Sequence, residues 1–297
     1  MFDTTPTLDC NGRVLALDRA RVVGIVNATP DSFSGDGLPS ADAAVELGLR
    51  MVADGADALD VGGESTRPGA DEIPVEEELR RVIPVIERLA RECAVPIWID
   101  TSKPDVMRAA VAAGAGAIND VHALRRDGAM DAAAGLKVPV VLMHMQGEPR
   151  TMQDAPHYDD VVAEVHRFLA ERIFACEMSG IPKKKIVIDP GFGFGKTLDH
   201  NLALLRQLVR FVDLGVPLLA GLSRKGMIGT LTDRARGQRV HGSVAAALIA
   251  AQNGAKLVRV HDVAATVDAL KVWDAVAAQA VPKGKSAPAM PKWGDDD

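Results

Sequence analysis

The feature that most constrains this chain is a recurrence: eight short apolar runs, each reaching a polar or ionisable residue, separated by segments long enough for a helix. VVGIVN at 22–27 ends on Asn27, ALDVGG at 58–63 carries Asp60, VPIWID at 95–100 ends on Asp100, and AGAIND ends on Asn119 and Asp120. VPVVLMH ends on His144, KIVIDP carries Asp189, VPLLAGLS ends on Ser223, and AKLVRVH brings Arg259 and His261. Runs this rich in Val, Ile and Leu fit parallel strands covered on both faces. The segments between them have helical spacing. Leu79, Val82, Ile83, Ile86 and Ala90 form one apolar stripe within 76–92, and Val161, Val165, Phe168, Leu169 and Ile173 form another. A further helix is expected over 41–53.

Eight βα units in about 260 residues match a (β/α)8 barrel in size and element count. An open doubly wound sheet is the alternative. It would spread the polar strand ends along a line, whereas a barrel gathers them at one mouth. Thr7 to Leu17, with Asn11-Gly12 between two short runs, predicts a small β-hairpin ahead of the first barrel strand, placed to plug the floor. A single barrel domain is expected over 1–281. The Pro-, Lys- and Asp-rich stretch 282–297 lacks periodicity and reads as a mobile tail.

Composition narrows the function classes. With 297 residues, 47% of them hydrophobic, the chain can bury a sizeable core, so general disorder is excluded. A net charge of −6 argues against a nucleic-acid or anionic-membrane binder. Three scattered cysteines, Cys10, Cys93 and Cys176, form no CxxC pair, and no run approaches a bilayer span; both point to the cytoplasm. The Ala-rich tracts at 109–117 and 243–251 fit packed helices better than linkers.

Asp189 to Thr197, DPGFGFGKT, resembles nucleotide loops but fails both spacings. A P-loop would need Gly where Pro190 stands, and a dinucleotide fingerprint would need Gly where Lys196 stands. The alternation still describes a strand-end loop able to lay an aromatic ring over a planar ligand, with Phe192 either there or in the core. Asp100 and Asp189 each follow an apolar strand, where a carboxylate is costly unless it meets donors. One role is to take two adjacent N–H donors of a heterocycle; another is to cap a helix or pair with a base. Arg259 and His261, two apart and so on one side of the last strand, suit an anion such as a phosphate, although a structural salt bridge also fits Arg259. Ser223, Arg224 and Lys225 open a helix where an anion or carbonyl could be received. The oxygen-rich stretch 27–37 suits Mg²⁺ better than zinc. His122, His144 and His157 lack mutual ligand spacing and read as structural or rim residues.

Taken in order, GIVNATPDSFS, LDVGGESTRPGA, IDTSKP, INDV, LMHMQG, IDPGFGFGK, GLSRKGMIG, HGSVAAA and VRVHDV make the sequence resemble the dihydropteroate synthase family from about Asn11 to Asp274. The resemblance implies a barrel enzyme that condenses 6-hydroxymethyl-7,8-dihydropterin diphosphate with 4-aminobenzoate, releasing diphosphate. It further implies that Asp100, Asn119, Met143, Asp189 and Lys225 hold the pterin. Asn27, Arg67, Arg259 and His261 would hold the diphosphate, with Mg²⁺ at Asn27. Thr66, Arg67, Pro68, Phe194, Ser223 and Lys225 would shape the aminobenzoate site. The implied course is SN1-like: charge offset by Arg259 and His261 helps diphosphate leave, and Asp100 with Asp31 or Asp36 stabilises the electron-poor pterin methylene.

This chain departs from the family pattern at Val23 and Ala28, and its loop reads SFSGDGL where SFSDGG is usual, which moves Asp36. A non-condensing pterin-binding homologue and the pterin module of a methyltransferase are the alternatives, and the complete STRPGA loop favours the synthase. The resemblance also implies competitive inhibition by sulfonamides, and a homodimer for which the helix at 243–253 is a candidate surface.

Overall fold

The computed structural model describes residues 6–29, 40–66, 70–148 and 150–277. Two antiparallel strands, β1 (Thr7–Cys10) and β2 (Arg13–Ala16), form the expected hairpin. Its turn places Asn11 and Gly12 at positive φ, 56° and 85°, the backbone that an Asn-Gly pair tolerates best.

The barrel strands follow as β3 (Arg21–Asn27), β4 (Ala58–Gly62), β5 (Ile97–Asp100), β6 (Ala117–Asp120), β7 (Val140–Met143), β8 (Ile186–Asp189), β9 (Leu219–Ala220) and β10 (Leu257–Val260). All pair in parallel in the order β8-β7-β6-β5-β4-β3-β10-β9. A parallel bridge between Ile188 and Leu218 joins the two ends, so the sheet closes as a (β/α)8 barrel rather than lying open.

The helices are α1 (Ala41–Ala53), α2 (Val75–Glu92), α3 (Pro104–Ala112), α4 (Ala129–Leu136), α5 (Val161–Met178), α6 (Leu198–Arg206), α7 (Gly226–Thr232), α8 (Val240–Gln252) and α9 (Val263–Ala277). On α5 the expected stripe is buried at Val161, Val165, Leu169 and Ile173, with Phe168 half-buried. On α2 only Val82 and Ile86 of the expected stripe are buried, joined by Val85 and Leu89, while Leu79, Ile83 and Ala90 are half-buried, so the buried face is rotated from the one expected. Local chemistry sets the starts. Ser40 Oγ accepts from Ala43 N–H at α1, Asp160 caps α5, and Thr197 with His200 forms a reciprocal capping box at α6. Ala246, Ala247 and Ala250 are buried on α8, as the small side chains suggested. Among the described residues no helix is long and apolar enough to cross a membrane. The tail 282–297 lies outside the described residues.

The alternation of strand side chains sorts the interior into storeys. The lowest takes one residue from each barrel strand: Val23, Ala58, Trp98, Ala117, Val141, Val187, Leu219 and Leu257. Leu8, Cys10, Leu15 and Leu17 of the hairpin pack against these, so the hairpin is the floor of the barrel. The approach is close enough that a Cβ on Gly116 would stand 2.4 Å from the Cys10 carbonyl oxygen. Two residues further along the strands the apolar storey gives way to Asp60, Asp100, Asn119, Met143, Asp189 and Arg259. Chemistry therefore begins one pleat above the floor.

Candidate active site

The mouth encloses a cavity of about 570 Å³ at the C-terminal ends of the strands. Asn27, Thr66, Asp100, Asn119, Met143, Asp189, Phe194, Ser223, Lys225, Arg259 and His261 all line it, so the structure brings these sequence candidates together. Asp31, Asp36, Arg67 and Pro68 lie outside the described residues, as does the altered SFSGDGL loop.

At the base of the cup four side chains are linked. Arg259 donates from Nε to Asp60 Oδ2 at 2.5 Å and from Nη2 to Asp100 Oδ2 at 2.7 Å, while Asn119 Nδ2 donates to the same Asp60 oxygen at 2.9 Å. Arg259 is thus ion-paired, as the salt-bridge reading has it, and also lines the cup. Burial pushes the Asp100 carboxyl up to about 7, against the pull of Arg259 and with help from Asp60.

Asp120 behaves differently from its neighbour. Asn119 points inward, whereas Asp120 accepts from Ser102 Oγ and from the backbone N–H groups of His122 and Leu124, tying down loops outside the barrel wall. One position of strand alternation separates a ligand-facing side chain from a loop anchor.

The loop after β8 explains the glycine pattern. Gly191 and Gly195 have φ of 70° and 59°, and a Cβ at either would strike backbone oxygens of His144 or Gln146 at 1.9 and 2.5 Å. Only glycine permits both the turn and this approach. Gly191 N–H donates to Asp189 Oδ1 at 2.7 Å, which steadies the carboxylate against a burial that raises its pKa; Lys225, Lys196 and Arg259 also favour the charged form. Phe192 is core, 1% exposed, while Phe194 faces the mouth with Lys225 Nζ 4.0 Å from its ring centroid. Burial lowers Lys225 to about 8.

Spacing gave no sign of Lys196. Its buried ammonium reaches Gly191 O and Phe194 O at 2.9 Å and stands 3.0 Å from His144 Nδ1, stapling the loop after β8 to the loop after β7. Burial lowers Lys196 to about 7 and His144 to about 2, so the imidazole is a neutral acceptor in a structural role. His122 is half-buried and His157 exposed.

On the last strands, Ser223 Oγ accepts from His261 N–H at 3.1 Å and lies 3.0 Å from its Nδ1. Burial, with Arg224, Arg259, Arg236 and Lys225 nearby, holds the His261 pKa well below its usual value. In the free protein His261 is therefore held as a neutral imidazole. Arg224, at φ 57°, is kept in that strained backbone by Ser243 Oγ on its N–H, by Arg239 on its carbonyl and by a two-point pair with Asp262. Lys225 follows directly and is aimed by this arrangement.

A closed parallel barrel with two buried carboxylates, an aromatic-backed lysine and an arginine in one cup defines an enzyme of the (β/α)8 class, built for a planar hydrogen-bonding ligand that carries negative charge. The profile of the family described as pterin binding enzyme matches residues 23–261. The dihydropteroate synthase of Escherichia coli K12 is 52% identical over 270 residues, covering 90% of this chain and 95% of that one. The Xanthomonas albilineans dihydropteroate synthase solved with 4-aminobenzoic acid is 67% identical, with a TM-score of 0.88 over 94% of this chain and 100% of that one. That of Yersinia pestis, solved with a sulfonamide drug complex, is 48% identical with a TM-score of 0.90 over 92% of this chain and 99% of that one. The chain belongs to the pterin-binding enzymes and, within them, to the dihydropteroate synthase family.

Proposed function

We propose that this cup joins 6-hydroxymethyl-7,8-dihydropterin diphosphate to 4-aminobenzoate, giving 7,8-dihydropteroate and diphosphate. The observation that carries the proposal is the placement of Asp189, Asn119 and Asp100 in the same cavity as the Lys225–Phe194 pair. The acids and the amide suit the N–H-rich edge of a pterin, with Met143 against its face. Lys225 would meet the pterin carbonyl and wall the aminobenzoate site with Phe194, Thr66, Arg67, Pro68 and Ser223. Arg259, His261, Asn27 and Arg67 would take the diphosphate.

The C–O bond to diphosphate breaks with its electron pair leaving on oxygen. The methylene becomes electron-poor, and the arylamine nitrogen forms the new C–N bond before losing a proton to solvent or diphosphate. Asp100, with Asp31 or Asp36, would stabilise the cationic stage, and His261 would donate an N–H to the departing oxygens. An arylamine is already neutral at pH 7, so positioning and charge supply most of the expected rate gain.

Asn27 offers one amide oxygen at the rim, and no cluster of three or more His, Cys, Asp or Glu able to hold a metal occurs among the described residues. One protein oxygen completed by water and diphosphate fits Mg²⁺, which keeps several waters. When bound, the ion would help to offset the diphosphate charge. The proposal extends to competitive inhibition by sulfonamides, to cytoplasmic residence, and to a homodimer through α8, the helix expected at 243–253, where Ile249 is an exposed apolar residue. It also extends to a single domain over 1–281.

The test is a direct assay of purified protein with Mg²⁺ and both substrates. Formation of 7,8-dihydropteroate that requires both is expected, and its absence would overturn the proposal. The Lys225–Phe194 pair supports a condensing enzyme over a pterin carrier. Light scattering checks the dimer.

A further inference from the structure

Asp60 lies outside the cup lining, yet it governs what the lining presents. It is fully buried on β4, in register with Trp98, while Gly62 two residues on pairs with Asp100. Asp60 thus belongs to the first polar storey but, fully buried, lies beneath the side chains that line the cup. Its Oδ2 takes both Asn119 Nδ2 and Arg259 Nε, and its Oδ1 has no hydrogen-bond partner among the described residues.

We infer that Asp60 is a positioning residue for the pterin site: from beneath the cup it fixes which face of the Asn119 amide and which edge of the Arg259 guanidinium meet the ligand, and it divides the charge of Arg259 between two carboxylates. The inference rests on the reaction proposed above. With the Asn119 NH₂ group engaged by Asp60, the amide carbonyl is left for a ligand N–H; reversing the amide would set two oxygens against each other. With Arg259 Nε engaged as well, Nη2 reaches Asp100 and the rest of the fork faces the cup.

The charge consequence is equally specific. Once Asp100 is ionised, above about pH 7, the two carboxylates around one guanidinium carry net −1, which keeps the base of the cup attractive to an electron-poor pterin. Making position 60 neutral would bring the trio to zero and give Arg259 wholly to Asp100. The charged groups facing Asp100 are Arg259 from β10, Asp60 from β4, Glu78 from α2, Asp120 from β6 and Lys225 at the start of α7. Removing the Asp60 charge and strengthening the Arg259 contact both favour ionised Asp100, so both move its titration to lower pH.

The test is Asp60→Asn, which keeps shape and volume. Calorimetry with the pterin diphosphate should show affinity weakened about tenfold or more, as for a lost charge-assisted bond. The acid limb of kcat/KM should move down by about one pH unit, the direction a neighbouring negative charge dictates. Wild-type affinity with an unmoved acid limb overturns the inference, as does a loss that is uniform across pH. Should Asp60→Asn fail to fold, NMR of the unaltered protein decides: the Arg259 Nε–H and the Asn119 side-chain amide should stay protected from exchange when the pterin diphosphate binds, and their release would be fatal. If the unaltered enzyme makes no dihydropteroate, the functional proposal falls; if it does and Asp60→Asn is indifferent, only this inference falls.

Discussion

Lys225 holds its ammonium 4.0 Å from the centroid of the Phe194 ring, so the loop after β8 and the start of α7 share one wall of the cup. Cation–π contacts are worth about 0.5–2 kcal/mol, more where water is excluded. Phe194→Leu keeps an apolar wall but removes the π face. Steady-state kinetics should show the KM for 4-aminobenzoate raised several-fold, with pterin affinity little changed. Equal weakening of both substrates would contradict the division of the cup.

Asp100 sits at about 7 because burial and Asp60 outweigh Arg259. A carboxylate with a raised pKa is ionised only above it. If ionised Asp100 stabilises the pterin cation, kcat/KM falls about tenfold per unit as pH drops below 7. Asp100→Asn should flatten that limb and lower kcat by about 100-fold or more, the scale of a lost electrostatic partner. A retained limb would assign it elsewhere.

Lys196 carries a depressed pKa of about 7, against 10.5 for an ordinary lysine. Between those values the unfolded chain binds the proton and the native one does not, so stability rises with pH through that window, by up to about 1.4 kcal/mol per unit. Below pH 7 the native state bears the full cost of a buried charge. Denaturant titrations from pH 7 to 10 should show wild type gaining on Lys196→Met as pH increases; parallel curves would mean that Lys196 does not titrate there.

His261 is held neutral by burial and by the surrounding cations. Its ring resonances in the free protein should show no titration between pH 6 and 8. A midpoint near 6.5 would restore the cationic role. His261→Gln keeps an N–H donor and should retain more diphosphate affinity than His261→Ala.

Gly116→Ala puts a methyl into the Cys10 carbonyl, so the hairpin must shift. Overpacking of this kind costs about 1–3 kcal/mol. Thermal melts should show the loss, and pterin affinity should hold, because the floor is at the opposite end of the barrel from the mouth.

The strands, the floor hairpin and most of the cup were legible because period-two alternation carries both burial and orientation: Asp100, Asp189 and Arg259 could be placed from spacing alone. What stayed hidden depended on partners far along the chain. Asp60 read as one more strand end because its partner Arg259 is 199 residues away. Asp120 looked like a mouth residue, since a run that ends Asn-Asp does not say which one faces inward. Lys196 had only a failed nucleotide motif around it, and its role as a staple depends on carbonyls that two folded loops bring together. The neutrality of His261 in the free protein follows from its burial and then from the cations around it, which no local pattern announces.

The joint between Ile188 and Leu218 is the barrel's thinnest, a single parallel bridge just ahead of β9, where every other neighbouring strand pair forms a ladder of two or more residues. Asp189 adjoins it on one side and Gly221 on the other, both lining the cup. A pterin bound at Asp189 as proposed would span the seam like a rivet, and the amides flanking it should then gain more protection from deuterium exchange than those of any other strand pair.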